Sequence, residues 1–134
     1  MPRVYLYISQ QGDAVIVNDH KTTALEGLQT LVGGLIECVN PTKLGSGVDA
    51  WVNEEGLMYP EFGINLVGSV VTGRQLVGPV VLTGHNNQGE TTDLPKTIIT
   101  KLKREGLMID ERGMEPFEVA NRFFPTTLYS EAID

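Results

Sequence analysis

Apolar and polar positions alternate from the start of the chain. Val4, Leu6 and Ile8 fall on one side of an extended segment, Tyr5 and Tyr7 on the other, which is the period-two pattern of a strand. Gln10-Gln11-Gly12-Asp13 predicts a hairpin loop and Ala14 to Val17 a second strand. The period then lengthens. Leu25, Leu28, Leu31 and Val32 recur at three- and four-residue steps, one apolar stripe of a helix. Thr23 and Glu26 have capping-box spacing, and Gly33-Gly34 supplies the left-handed residue that ends a helix. A helix of about nine residues is marginal alone in water, so this one is expected to be held by packing on a sheet.

The next segment, Leu35 to Val39, is mostly apolar and predicts a central strand closed by Asn40-Pro41. In Val48 to Val52, Val48, Ala50 and Val52 share one face, while Asp49, Trp51 and Asn53 share the other. Asn53 to Gly56 suits a type I turn, after which Leu57-Met58-Tyr59 is expected to pair back as a short strand. Between Glu61 and Thr72 the spacing favours a short helix ending near Gly73. Leu76 to Thr83 is a strand interrupted at Gly78-Pro79, which suits an edge or a bulge. A polar loop from Gly84 to Gly89 leads to a third helix, with Asp93 as its expected N-cap and Pro95 in its first turn. Lys101, Lys103 and Arg104 sit at that helix's C-terminal end, where cations suit the dipole, and Gly106 stops it. Leu107 to Ile109, a turn at Asp110-Glu111-Arg112-Gly113 and a helix from Pro116 to Phe124 follow, and a loose tail is expected from Pro125.

The resulting order is β-β-α-β-β-α-β-α. It predicts an α+β fold, a mostly antiparallel sheet with short helices packed on one face. Residues 1–109 are expected to form a single domain. Residues 110–134 form a C-terminal helical appendix, packed on that domain or on a second subunit.

Composition narrows the setting. The chain has 134 residues, enough for a core without disulfides or metal. Its one cysteine, Cys38, excludes an internal disulfide and fits a reducing cytoplasm; its apolar surroundings predict a buried, inert thiol. No stretch approaches the ~20 apolar residues of a membrane span. Met-Pro-Arg-Val-Tyr runs straight into a strand, which predicts no signal peptide. The net charge is −7, with six Asp and Glu against two Arg from position 110 onward. That balance argues against direct nucleic-acid binding, which needs Lys and Arg to displace phosphate counterions.

Candidate chemistry is sparse. There is no phosphate-binding loop, dinucleotide fingerprint or His-Glu-x-x-His. His20 and His85 have no metal-ligand neighbours in sequence, so neither a cofactor nor a metal is expected. Glu54-Glu55 with Asp49 offers an acidic set for general acid–base work, but a solvated hairpin tip explains it better, because a catalytic carboxylate usually needs burial to tune its pKa. Contact residues for a ligand or partner are better sought among Trp51, Asn53, Asn65, Arg74, His85 and Asn86. Arg74 carries a bidentate fork for phosphate or carboxylate, and Trp51 either lines a pocket or closes the sheet surface as a half-buried aromatic.

The run LQTLVGGLIECV, then VNEEG, a proline, Asn65 and VGPVVLTG resembles a small family catalogued as domain of unknown function 3846, over roughly residues 3–104. The family's Pro-Asn pair stands here as Pro60 and Asn65. The resemblance implies a bacteriophage, plasmid or bacterial setting and brings no established activity. Three functions follow as expectations. The first is a non-enzymatic, phage-type accessory protein that captures a host protein or a small, nucleotide-like signalling molecule, as in counter-defence. Such a protein could form a homo-oligomer through the Pro116–Phe124 helix. The second is an acidic inhibitor of a host nucleic-acid enzyme. The third is a small hydrolase or nucleotide-modifying enzyme using Glu54, Glu55 or His85.

Overall fold

The computed structural model describes residues 1–124, so the tail expected from Pro125 lies outside the described residues. Among these there are seven strands and four helices. The elements are β1 (Arg3–Ile8), β2 (Ala14–Asp19), α1 (Ala24–Val32), β3 (Ile36–Val39), β4 (Val48–Asn53), a 3-10 turn (Gly56–Met58), α2 (Leu66–Thr72), β5 (Val80–His85), β6 (Thr91–Thr92), α3 (Lys96–Arg104), β7 (Ile109–Met114) and α4 (Pro116–Phe123). The sheet runs β3-β4-β5-β1-β2-β7, with β6 beside β5. Every pairing is antiparallel except β2 with β7. This is the expected α+β fold with a mostly antiparallel sheet.

The helices cover both faces, not one. Tyr5, Leu6, Tyr7 and Ile8 are all fully buried, and successive strand residues point to opposite sides, so both sides of β1 must be covered. On one face Leu6, Ile8, Ile16, Ala50, Val52, Val80 and Leu82 pack with Leu102 of α3 and Val67 and Val71 of α2. On the other, Tyr5, Tyr7, Val15, Val17 and Val81 pack with Leu28, Leu31 and Val32 of α1 and Val119 of α4. The tyrosine rings were the sign: two large aromatics in the polar phase of an alternating strand need a second layer over them.

Other local expectations change with the sheet order. Leu35–Val39 was expected to be central, but β3 is an edge strand with one neighbour. Leu57–Tyr59 does not pair back; Gly56–Met58 makes a 3-10 turn, and Asn53 accepts the Glu55 N–H. Asp93 is not the cap of α3. Its carboxylate accepts the Val4 N–H at 2.9 Å, tying the loop to β1, and Pro95 precedes the first helical residue. Asp110 to Gly113 is not a free turn but part of β7, whose register against β2 shifts between Val15 and Val17. The boundary drawn at residue 110 thus falls inside β7. Helix α4 packs on α1 of its own chain. Thr23 caps α1 as its spacing predicts, accepting the Glu26 N–H at 3.3 Å, and Gly33 ends it at φ 81°.

Candidate functional site

Strand pairing brings together residues far apart in sequence. Asp49 opposes Thr83 across β4 and β5, which sets the next residue on that face of β5, His85, beside Asp49. His85 Nδ1 lies 3.0 Å from Asp49 Oδ2. With the carboxylate as acceptor, Nδ1 carries the proton, which leaves Nε2 to face a ligand as an acceptor in the neutral ring and as a donor in the imidazolium. The His85 backbone N–H donates to the Gly47 carbonyl, fixing the 42–47 loop to the end of β5. The result is an open cleft of about 610 Å³ lined by Cys38, Asn40, Thr42, Ser46, Asp49 and His85, among others. It offers an imidazole, two hydroxyls, a carboxamide and backbone groups, which suits a small polar molecule.

Cys38 borders this cleft and is exposed, not buried as expected from its apolar strand. The reason is the edge position of β3. Its thiol is nonetheless pushed up to about 11, by desolvation among its neighbours and then by the Asp49 carboxylate to which it donates. Asp49 therefore serves both groups: it orients the imidazole and helps hold the thiol protonated. Reaction of Cys38 with an aromatic disulfide reagent is expected to be slow at pH 7 and to rise towards pH 11. Asp49→Asn should move the rising limb to lower pH. A wild-type limb near the ordinary thiol value of about 8.5 would contradict the Asp49 contact.

The six sequence candidates do not converge on one place. His85 lines the cleft just described. Arg74 and Asn53 line a second, smaller one of about 220 Å³, with Glu37, Glu54 and Leu57. There the Asn53 amide is already committed, donating to the Val32 carbonyl at the end of α1 and accepting the Glu55 N–H. Trp51 is half-buried on the sheet, its indole N–H donating to Thr83 at 2.9 Å. Asn86 organises its own loop by accepting the Gln88 and Glu90 N–H groups. Asn65 is fully buried and caps α2. Glu54 and Glu55 follow the far end of β4, about 17 Å along the strand from Asp49, so they lie apart from the Asp49–His85 pair. The cleft adds Cys38, expected to be buried and inert, and pairs Asp49 with His85 instead of with Glu54 and Glu55. The alternation that puts Asp49 on the Trp51 face was visible, but the 36-residue step to His85 depends on strand pairing.

Among the described residues no group of three or more His, Cys, Asp or Glu is placed to hold a metal, and no helix is long and apolar enough to cross a membrane. A family model described as a domain of unknown function (DUF3846) matches residues 3–106. The chain belongs to this family. No curated protein and no solved structure matched. The DUF3846 match takes in both clefts and ends before β7 and α4, so these two elements pack onto the sheet from outside the matched stretch.

Proposed function

We propose that this DUF3846 chain is a non-enzymatic binding protein of the phage accessory type, which captures a small, nucleotide-like molecule in the cleft around His85. The observation that carries the reading is the Asp49–His85 pair at 3.0 Å, which fixes an imidazole at the wall of a cleft of small-molecule size. The neutral imidazole accepts from a ligand N–H or O–H, and Asn40, Thr42 and Ser46 supply further polar contacts. Binding is favoured over covalent catalysis because desolvation, and then the Asp49 carboxylate, push the one thiol in the cleft up to about 11. The setting proposed is the cytoplasm of a bacterial host, with a host signalling molecule as the captured species. Self-association through α4 would use Phe117, which is 62% exposed, since Val119 and Ala120 are buried within their own chain.

Native mass spectrometry of the protein purified from its natural host cells tests this. The expected result is a retained adduct of nucleotide size, lost in His85→Ala while the melting temperature is kept. A bare wild-type chain that also takes up nothing from a metabolite extract of those cells would overturn it.

A further inference from the structure

Helix α2 departs from the usual pattern of a surface helix. Its sequence, Leu66-Val67-Gly68-Ser69-Val70-Val71-Thr72, has no charged residue, whereas the outer face of such a helix is normally polar. Val67 and Val71 pack on the core. Leu66 and Val70, one turn apart on the outer side, are 70% and 61% exposed. Beside them, between α2 and the C-terminal end of α3, runs a groove of about 510 Å³ whose apolar lining includes Leu44, Val67, Val71, Leu102 and Leu107.

The groove's rim is basic in a chain of net charge −7. Lys43 and Lys101 both line it. Lys43 Nζ donates to the Val70 carbonyl at 3.2 Å and Lys101 Nζ to the Lys43 carbonyl at 3.3 Å. These contacts hold both ammonium groups at the rim without neutralising them, since neither lysine forms an ion pair among the described residues. Glu105 is the one acid in the lining.

From the uncharged helix face, the apolar groove and the two uncompensated lysines we infer that α2 and α3 form a docking site for an acidic amphipathic helix of a partner protein. Such a helix would place apolar side chains at i, i+3 or i+4 spacing in the groove and carboxylates against Lys43 and Lys101. A second copy of this chain fits less well. Two helices outside this site expose an apolar residue: α4, at Phe117, carries Glu118 and Arg122, which cancel, and α1, at Leu25, carries the single acid Glu26 while its Leu28, Leu31 and Val32 are already buried in its own chain. The inference does not rest on the His85 cleft, although the 41–47 loop borders both, with Thr42 in the cleft and Lys43 and Leu44 in the groove.

Selection of a displayed library of helical peptides against the full chain tests it. Enriched peptides are expected to combine acidic residues with that apolar spacing. They should bind Val70→Glu and Lys101→Glu at least about tenfold more weakly than wild type, with melting temperatures unchanged. His85→Ala should bind them as wild type does. No enrichment, a basic consensus, or binders indifferent to Val70→Glu and Lys101→Glu would overturn the proposal. Concentration-dependent self-association abolished by Val70→Glu would also overturn it, by making this face homotypic.

Discussion

Replacing Asn65 by alanine is expected to destabilise the protein by about 4 kcal/mol and to lower its melting temperature by about 15 °C. The side chain is fully buried. Its oxygen accepts the Gly68 N–H at 2.8 Å, capping α2. Its nitrogen donates to the Ile8 carbonyl at 2.9 Å and the Gly78 carbonyl at 2.8 Å. One residue therefore joins the start of α2, the end of β1 and the bend before β5. An N-cap is worth about 1 kcal/mol, and each buried carbonyl left without a donor costs about 1–3 kcal/mol. Asn65→Asp separates the two roles. It keeps the capping oxygen but turns a second oxygen towards two carbonyls, so at neutral pH it should be no better than alanine. Because the folded state then disfavours the ionised form, stability should recover as the pH falls and the carboxyl gains a proton to donate. Urea unfolding at pH 7 and pH 4 checks both. A loss below about 1 kcal/mol for Asn65→Ala would mean that the three bonds do not act together.

The second large effect is expected at Gly27. In an isolated helix Gly→Ala stabilises by about 1 kcal/mol. Here the sign should reverse, with Gly27→Ala losing about 3 kcal/mol. A Cβ at Gly27 would run into the Asp19 carboxylate. Asp19 has little room to yield: it is 1% exposed, accepts the Tyr5 hydroxyl at 3.2 Å and the Lys21 N–H at 2.9 Å, and lies 3.8 Å from Arg3. Moving it would strand the Tyr5 hydroxyl, whose ionisation is already pushed upward, first by burial and then by the Asp19 charge. Asp19→Ala should itself be destabilising, since it leaves the buried Tyr5 hydroxyl without its acceptor and Arg3 without its counter-ion, although Arg3 still donates to the Lys21 and Thr22 carbonyls. The double substitution should lose clearly less than the two singles together, because the Cβ then meets empty space. Additive losses in thermal melts, or a stabilised Gly27→Ala, would exclude this account.

The local grammar of the chain was legible where short-range chemistry decides it. Thr23 with Glu26, Gly33 and Gly73 set the limits of α1 and α2 because caps act within one turn. The β1–β2 hairpin followed from alternation around a four-residue polar run. Long-range pairing was not legible. The apolar run Ile36–Val39 resembles a central strand, yet the β3-β4-β5-β1-β2-β7 order puts it at the rim, and the exposure of Cys38 follows from that. The strand over Asp110–Gly113 was hidden by turn-forming residues; it exists because β2 offers an open edge to pair with. The cleft was half visible. His85 stood out as a titratable group flanked by turn residues, but its partner Asp49 lies two strands' worth of chain away and was grouped with Glu54 and Glu55, which the strand length carries off.

The parallel contact between β2 and β7 has a consequence for how the chain is made. As the protein emerges from the ribosome, residues 3–106 can form their hairpins and helices while β2 still presents an unsatisfied row of amides and carbonyls, and Tyr7, Val15 and Val17 still lack Met114 and Val119 above them. Six strands of the nascent sheet therefore wait for residues 109–123 to be translated before their edge is closed. Until residues 109–123 arrive, that edge is the place where one nascent chain can add to another. The C-terminal strand and helix thus act as a late-arriving guard of the sheet, and a ribosome pausing just before codon 109 would lengthen the interval in which the guard is missing.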